Sequence, residues 1–154
     1  FTGRIIASYE TALSACMVLS TFIPMLMDTG GNAGSQASVS IIRGISLDEI
    51  QFADLSGVIW KEARVSLLCG ATLSAANFVK LMLFDRVGVM VALVICLTLI
   101  VAVFVAKIVG CTLPMFAKKV GFDPAVMASP FITTIVDALS LIIYFQIATR
   151  LLHF

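Results

Sequence analysis

"VGVMVALVICLTLIVAVFVAKIV", residues 87–109, carries one charged side chain, Lys107, and no polar stripe. A helix that is apolar all round is buried on every side. The run is also longer than the roughly 20 residues needed to cross about 30 Å of hydrocarbon. It reads as a membrane-spanning helix, and it decides the fold class.

Working outward, "VSLLCGATLSAANFVKLML" (65–83) is separated from this run by little more than Phe84, Asp85 and Arg86, which leaves room only for a tight turn and an antiparallel hairpin. "FITTIVDALSLIIYFQIATRLL" (131–152) is a further span. "TALSACMVLSTFIPMLM" (11–27) is another, with Pro24 tolerated where neighbouring helices satisfy the freed carbonyl. "FTGRIIASYE" lacks the apolar core and cleavage site of a signal peptide and reads as the end of a helix whose beginning is missing. The expected fold is an all-α integral membrane bundle forming one domain over 1–154. Residues 1–7 end a preceding helix, and four complete transmembrane helices follow at 11–29, 60–84, 87–109 and 130–152.

Composition agrees, with 60% hydrophobic residues, 12% charged residues and a mean hydropathy of +1.10, whereas soluble domains are about one quarter charged. A net charge of +1 without any Lys/Arg run excludes a nucleic-acid partner. Cys16, Cys69, Cys96 and Cys111 stand far apart in or beside apolar runs and read as small buried hydrophobes, not as a metal or disulfide framework. By alternation the linkers 38–64 and 110–129 share one side of the membrane. They carry Arg43, Lys61, Arg64, Lys118 and Lys119 against Arg4, Lys80, Arg86 and Arg150 opposite, which leans towards a cytoplasmic placement and a multi-pass plasma-membrane protein.

Asp137 lies seven residues past Pro130, about 10 Å into its helix at 1.5 Å per residue. A carboxylate at such depth is costly, so it either pairs with another helix or faces an ion path. Thr133, Thr134, Ser140 and Tyr144 fall on its helical face and make an oxygen-lined stripe. Oxygen ligands without imidazole or thiolate suit a hard cation such as Mg²⁺ or Ca²⁺. One Asp per chain is too little for a divalent ion, whereas two Asp137 side chains across a two-fold axis supply two charges, which implies a homodimer. Protons would compete for such a pair, so occupancy should fall at acid pH.

Glu62, Ser66, Gly70, Ser74 and Asn77 form a second stripe, whose small residues favour a helix-packing seam over a pathway. Glu62 is expected to pair with Arg64, Lys61 or Arg43. In "MLMDTGGNAGSQ" (25–36) the glycines 30, 31 and 34 permit irregular backbone, tolerated at membrane depth only where buried or lining water. On spacing alone this stretch breaks the helix near the cytoplasmic side, with Asn32, Ser35 and Gln36 either capping the broken ends or facing ions. "GGNAG" lacks the Lys-Ser/Thr and the strand of a phosphate loop, and the single His153 has no nucleophile partner, so no enzyme chemistry is indicated.

"FIPMLMDTGGNAGSQAS", "IIRGISLDEI", "WKEARVSLLCG" and "DPAVMASPFITTIVDALSLIIYF", in this order, resemble the membrane domain of the MgtE family of magnesium channels and transporters. The resemblance runs from about residue 10 to the C-terminus. It implies a five-helix subunit in a homodimer, with a pore lined by the second and fifth helices and paired Asp137 carboxylates holding a largely hydrated Mg²⁺. Thr133 matches the neighbouring carbonyl position, and Ser129 stands before Pro130 where some members carry Asn. Thr134, Asp123, Pro130, Ser140, Gly30, Gly31, Asn32, Gly34 and Gln36 complete the metal-binding, pore-lining and motif candidates. Asp28, where several members have Gly, would add an acid near the cytoplasmic mouth.

Many members carry cytosolic regulatory domains, so this chain is expected to be a membrane-domain fragment or a short member regulated differently. The expected function is passage of Mg²⁺ across a lipid bilayer. An exchanger coupling a divalent cation to Na⁺ or H⁺ at the same site is the alternative, and a scaffold in which Asp137 only joins helices is the non-transport reading.

Overall fold

The computed structural model describes residues 2–9, 17–127 and 129–152. Among them the regular elements are all helical: α1 (Thr2–Ser8), α2 (Val18–Ser46), α3 (Leu55–Lys80), α4 (Val89–Lys119) and α5 (Ser129–Leu152). Short 3-10 turns occupy Phe52–Asp54 and Pro124–Met127, and a π turn at Leu81–Asp85 leads through Arg86, in the left-handed region at φ 50°, into the α3–α4 hairpin. Residues 11–16, including Cys16, and the terminal His153 lie outside the described residues.

Phe52–Asp85, Val89–Lys119 and Pro130–Leu152 are long and apolar enough to cross a membrane. They correspond to three of the four expected spans, and the chain is a membrane protein. α2 has the length, 29 residues, but its polar second half keeps it outside that group.

α4 is the centre of the bundle and packs against α2, α3 and α5. Half of its most apolar window is buried within the chain, against 17% for α3, so α3 lies at the edge. Leu19, Phe22 and Leu26 of α2, Val94, Ile95 and Leu99 of α4, and Leu141, Tyr144 and Phe145 of α5 make the main apolar core. The Tyr144 hydroxyl donates a 2.9 Å hydrogen bond to the Leu19 carbonyl and ties the start of α2 to α5. α1 joins this end of the bundle through Tyr9, whose ring stacks on Phe145 at 4.7 Å.

The α3 seam is as the spacing predicts. The buried residues of α3 are Glu62, Ser66, Gly70 and Ser74. A Cβ on Gly70 would stand 3.2 Å from the Ile100 Cα, and the Ser74 hydroxyl donates to the Cys96 carbonyl at 3.1 Å. Small residues let two backbones approach where lipid supplies no hydrophobic drive between helices. Cys96 and Cys111 are buried free thiols, while Cys69 is half-buried.

The expected break at 25–36 does not occur: the whole stretch lies inside α2, which continues to Ser46. Glycine in a helix costs about 1 kcal/mol relative to alanine, but here the glycines are the places where other helices come closest. Gly30 faces Ser140 and Val136, Gly31 faces Thr133 and Asp137, and Gly34 meets the Ala106 carbonyl, Ile132 and Val136. Tertiary packing outweighs the local propensity. α4 likewise runs on through Pro114 to Lys119, so both linkers on this side are shorter than the apolar runs suggest.

Candidate functional site

α2 and α5 pack side by side because the glycines of α2 carry no side chain to hold them apart. A Cβ on Gly31 would sit 3.3 Å from the Thr133 Cγ2 and 3.6 Å from the Asp137 Oδ1. The missing side chain leaves room next to the carboxylate. An open pocket of about 160 Å³ results, lined by Met27, Asp28, Gly31, Asn32, Thr133 and Asp137.

Thus five of the candidates read from the sequence, Asp28, Gly31, Asn32, Thr133 and Asp137, meet at one place, because α2 and α5 pack together although the α3–α4 hairpin separates them in the chain.

 That contact brings the Asp28 and Asp137 carboxylates to the same pocket.

The other candidates are placed elsewhere. Ser140 is buried beneath Gly30, and Tyr144 is buried against the start of α2, so the oxygen stripe expected along α5 is covered by α2 just beyond Asp137. Gly30 and Gly34 are buried contact points and do not line the pocket. Thr134 and Pro130 line a separate surface hollow with Phe131, and the Thr134 hydroxyl donates to the Pro130 carbonyl at 2.8 Å. The Thr133 hydroxyl donates to the same carbonyl at 3.1 Å. Asp123 is exposed and accepts a 2.9 Å hydrogen bond from the Ala125 N–H, which shapes the turn before α5. Ser129 opens α5, and its side chain lies outside the described ones. Asp28 is not near the end of α2, which extends 18 residues beyond it, about 27 Å of helix.

Among the described residues, no ion pair or hydrogen bond engages the Asp137 carboxylate. No group of three His, Cys, Asp or Glu that could hold a metal occurs among them either, so one chain offers two acids at this pocket.

Residues 23–147, which take in α2 to α5 almost completely, match the family model MgtE, described as a divalent cation transporter. The chain belongs to the MgtE family. It is similar to the magnesium transporter MgtE of Thermus thermophilus, with 34% identity over 158 aligned residues, and to those of Bacillus subtilis, 32% over 152, and Enterococcus faecalis, 31% over 153. Each comparison covers 99% of this chain. The chain spans about a third of the length of these relatives.

One polar feature of this MgtE-family chain escapes the sequence reading. Glu62 pairs with Lys107 of α4, Oε2 to Nζ 3.1 Å, and not with Lys61, Arg64 or Arg43. The local cations point away: Lys61 is exposed, and the Arg64 guanidinium lies over the Trp60 ring at 5.9 Å. The available signal was Lys107 itself, the single charge in the most apolar run. A second cleft, of about 270 Å³, opens between α2, α3 and α4, and Asp28, Asn32, Gln36 and Lys107 are among its lining residues.

Proposed function

We propose that this chain forms the membrane part of a magnesium transporter, in which Mg²⁺ passes along α2 and α5 of two copies and Asp137 is the central binding group. The observation that carries this reading is the unpartnered Asp137 carboxylate at an open pocket also lined by Asp28, Asn32 and Thr133. An acid inside a membrane bundle calls for a partner or for water, and among the described residues no ion pair or hydrogen bond reaches it from its own chain. The helix-joining role of a scaffold has no support from that arrangement.

Mg²⁺ demands near-octahedral oxygen ligands at about 2.0–2.1 Å and gives up its waters reluctantly. A pocket with few direct ligands therefore suits an ion that keeps most of its hydration shell and is held through water. A second copy across a two-fold axis would bring another Asp137, doubling the charge without dehydrating the ion. The family membership and the magnesium transporters among its relatives support the same assignment. With the crossing helices, α2 counts as the fourth span, and the protein is a multi-pass component of the plasma membrane.

The test is Mg²⁺ entry into proteoliposomes carrying the full chain, read with an entrapped Mg²⁺ dye. Asp137→Asn should remove flux while leaving the oligomer intact on gel filtration, and unchanged flux would sink the assignment. Flux that needs an opposing Na⁺ or H⁺ gradient would replace passive passage with exchange at the same site.

A further inference from the structure

Glu62 and Lys107 form an ion pair whose side chains are only 11% and 12% exposed. Two charges withdrawn from water are costly, and an apolar pair of similar volume often serves helix packing at least as well. The α3–α4 contact already has the Gly70 close approach and the Ser74–Cys96 hydrogen bond to hold it. Lys107 also does more than join helices, because it lines the cleft between α2, α3 and α4, and Asp28 and Asn32 line both this cleft and the Asp137 pocket. The two hollows thus share a wall made by α2.

Asp28, Thr29, Asn32 and Gln36, all with oxygen-bearing side chains, line the cleft side of that wall. The Glu62 carboxylate lies 3.1 Å from the Lys107 ammonium. Without the ammonium, two acids would remain, Asp28 in the cleft lining and Glu62 next to Lys107, and with the neutral oxygens they would suit a hard divalent cation. With it, the cleft lining already carries a positive charge attached to the protein.

We propose that Lys107 is a tethered cation that occupies the α2–α4 cleft and excludes divalent ions from it, so that the ion is confined to the α2–α5 pocket. The inference rests on the ion path proposed above. Lys107 is a positioning residue here: it acts by neutralising Glu62 and by repelling a dication from the cleft side of Asp28 and Asn32, which line both hollows. A lysine that merely joined α3 to α4 would affect assembly but not the number of ions bound.

Mn²⁺ serves as the probe, counted by electron paramagnetic resonance on the full chain in nanodiscs. Lys107→Met should bind one further Mn²⁺ per chain than the unaltered protein, and the double variant Glu62→Gln/Lys107→Met should lose it again. The exchanged pair Glu62→Lys/Lys107→Glu keeps an ion pair but presents the carboxylate at the cleft, and it too should gain Mn²⁺, which keeps the proposal open to refutation if Lys107→Met fails to assemble. An unchanged Mn²⁺ count in assembled Lys107→Met, or in the exchanged pair if that variant alone assembles, overturns it. Asp137→Asn separates the two readings. It should abolish the original Mn²⁺ site while the additional site of Lys107→Met survives, and a wild-type count unaffected by Asp137→Asn would refute the Asp137 assignment alone.

Discussion

Replacing Gly110 with alanine tests the contact that sets α2 against α4. A Cβ on Gly110 would overlap the Gly34 carbonyl oxygen and stand 2.9 Å from its carbonyl carbon and 3.1 Å from its Cα. All three atoms are backbone, so no rotamer change relieves the overlap, and α2 must move as a body. Forcing an additional methyl group into a packed interior costs about 1–3 kcal/mol, and a rigid backbone neighbour places this case near the upper end. Alanine returns about 1 kcal/mol of helix propensity, which leaves a net loss of about 2 kcal/mol. For a chain of this size that corresponds to a fall in Tm of about 4–8 °C. The assay is thermal unfolding of the detergent-solubilised protein beside Gly57→Ala, a helical position where a Cβ meets nothing within 4 Å and where no loss is expected. Because α2 carries Asp28 and Gly31 into the Asp137 pocket, Mg²⁺ flux should fall with stability. A Gly110→Ala protein as stable and as active as the original would refute the account of the crossing.

Tyr144→Phe removes the 2.9 Å side-chain donor to the Leu19 carbonyl, which lies within α2, and should lower stability by about 0.5–1.5 kcal/mol in the same unfolding assay, with flux largely kept in the folded fraction. Asp28→Asn removes one of the two acids at the pocket. The lost attraction for a dication about 4 Å away, about 2 kcal/mol in watery surroundings, should reduce Mg²⁺ flux roughly thirtyfold at low ionic strength and by less at about 0.15 M salt, where charges are screened beyond about 8 Å.

The spans at 65–83, 87–109 and 130–152 were legible because a run of apolar residues is a local property, and each lies within a helix long and apolar enough to cross a membrane. The α3 seam was legible for a related reason, since small residues at helical spacing declare a packing face without reference to the partner. The course of α2 was not. Three glycines within five residues read as a break until Gly110, Ser140 and Asp137 are known to occupy the space they leave. The site was partly legible: Asp137 and Thr133 follow from one helix face, but which further groups join them depends on α2, whose register against α5 no short stretch encodes. The partner of Glu62 lies 45 residues away, and proximity in sequence favoured the wrong cations.

The Gly34–Gly110 crossing has a mechanical consequence. Side chains compress and change rotamer, whereas two backbones in contact do not, so α2 meets a hard stop at one point and can tilt about it more readily than it can slide. Gly31 lies three residues from that fulcrum, about 4.5 Å, and Ser46 lies twelve residues away on the other arm, about 18 Å. A tilt of about 10° would therefore move the end of α2 by about 3 Å but the helix wall beside Asp137 by less than about 1 Å. α2 is geared as an unequal lever, with large displacements at its outer end reduced to fine adjustments where an ion would sit.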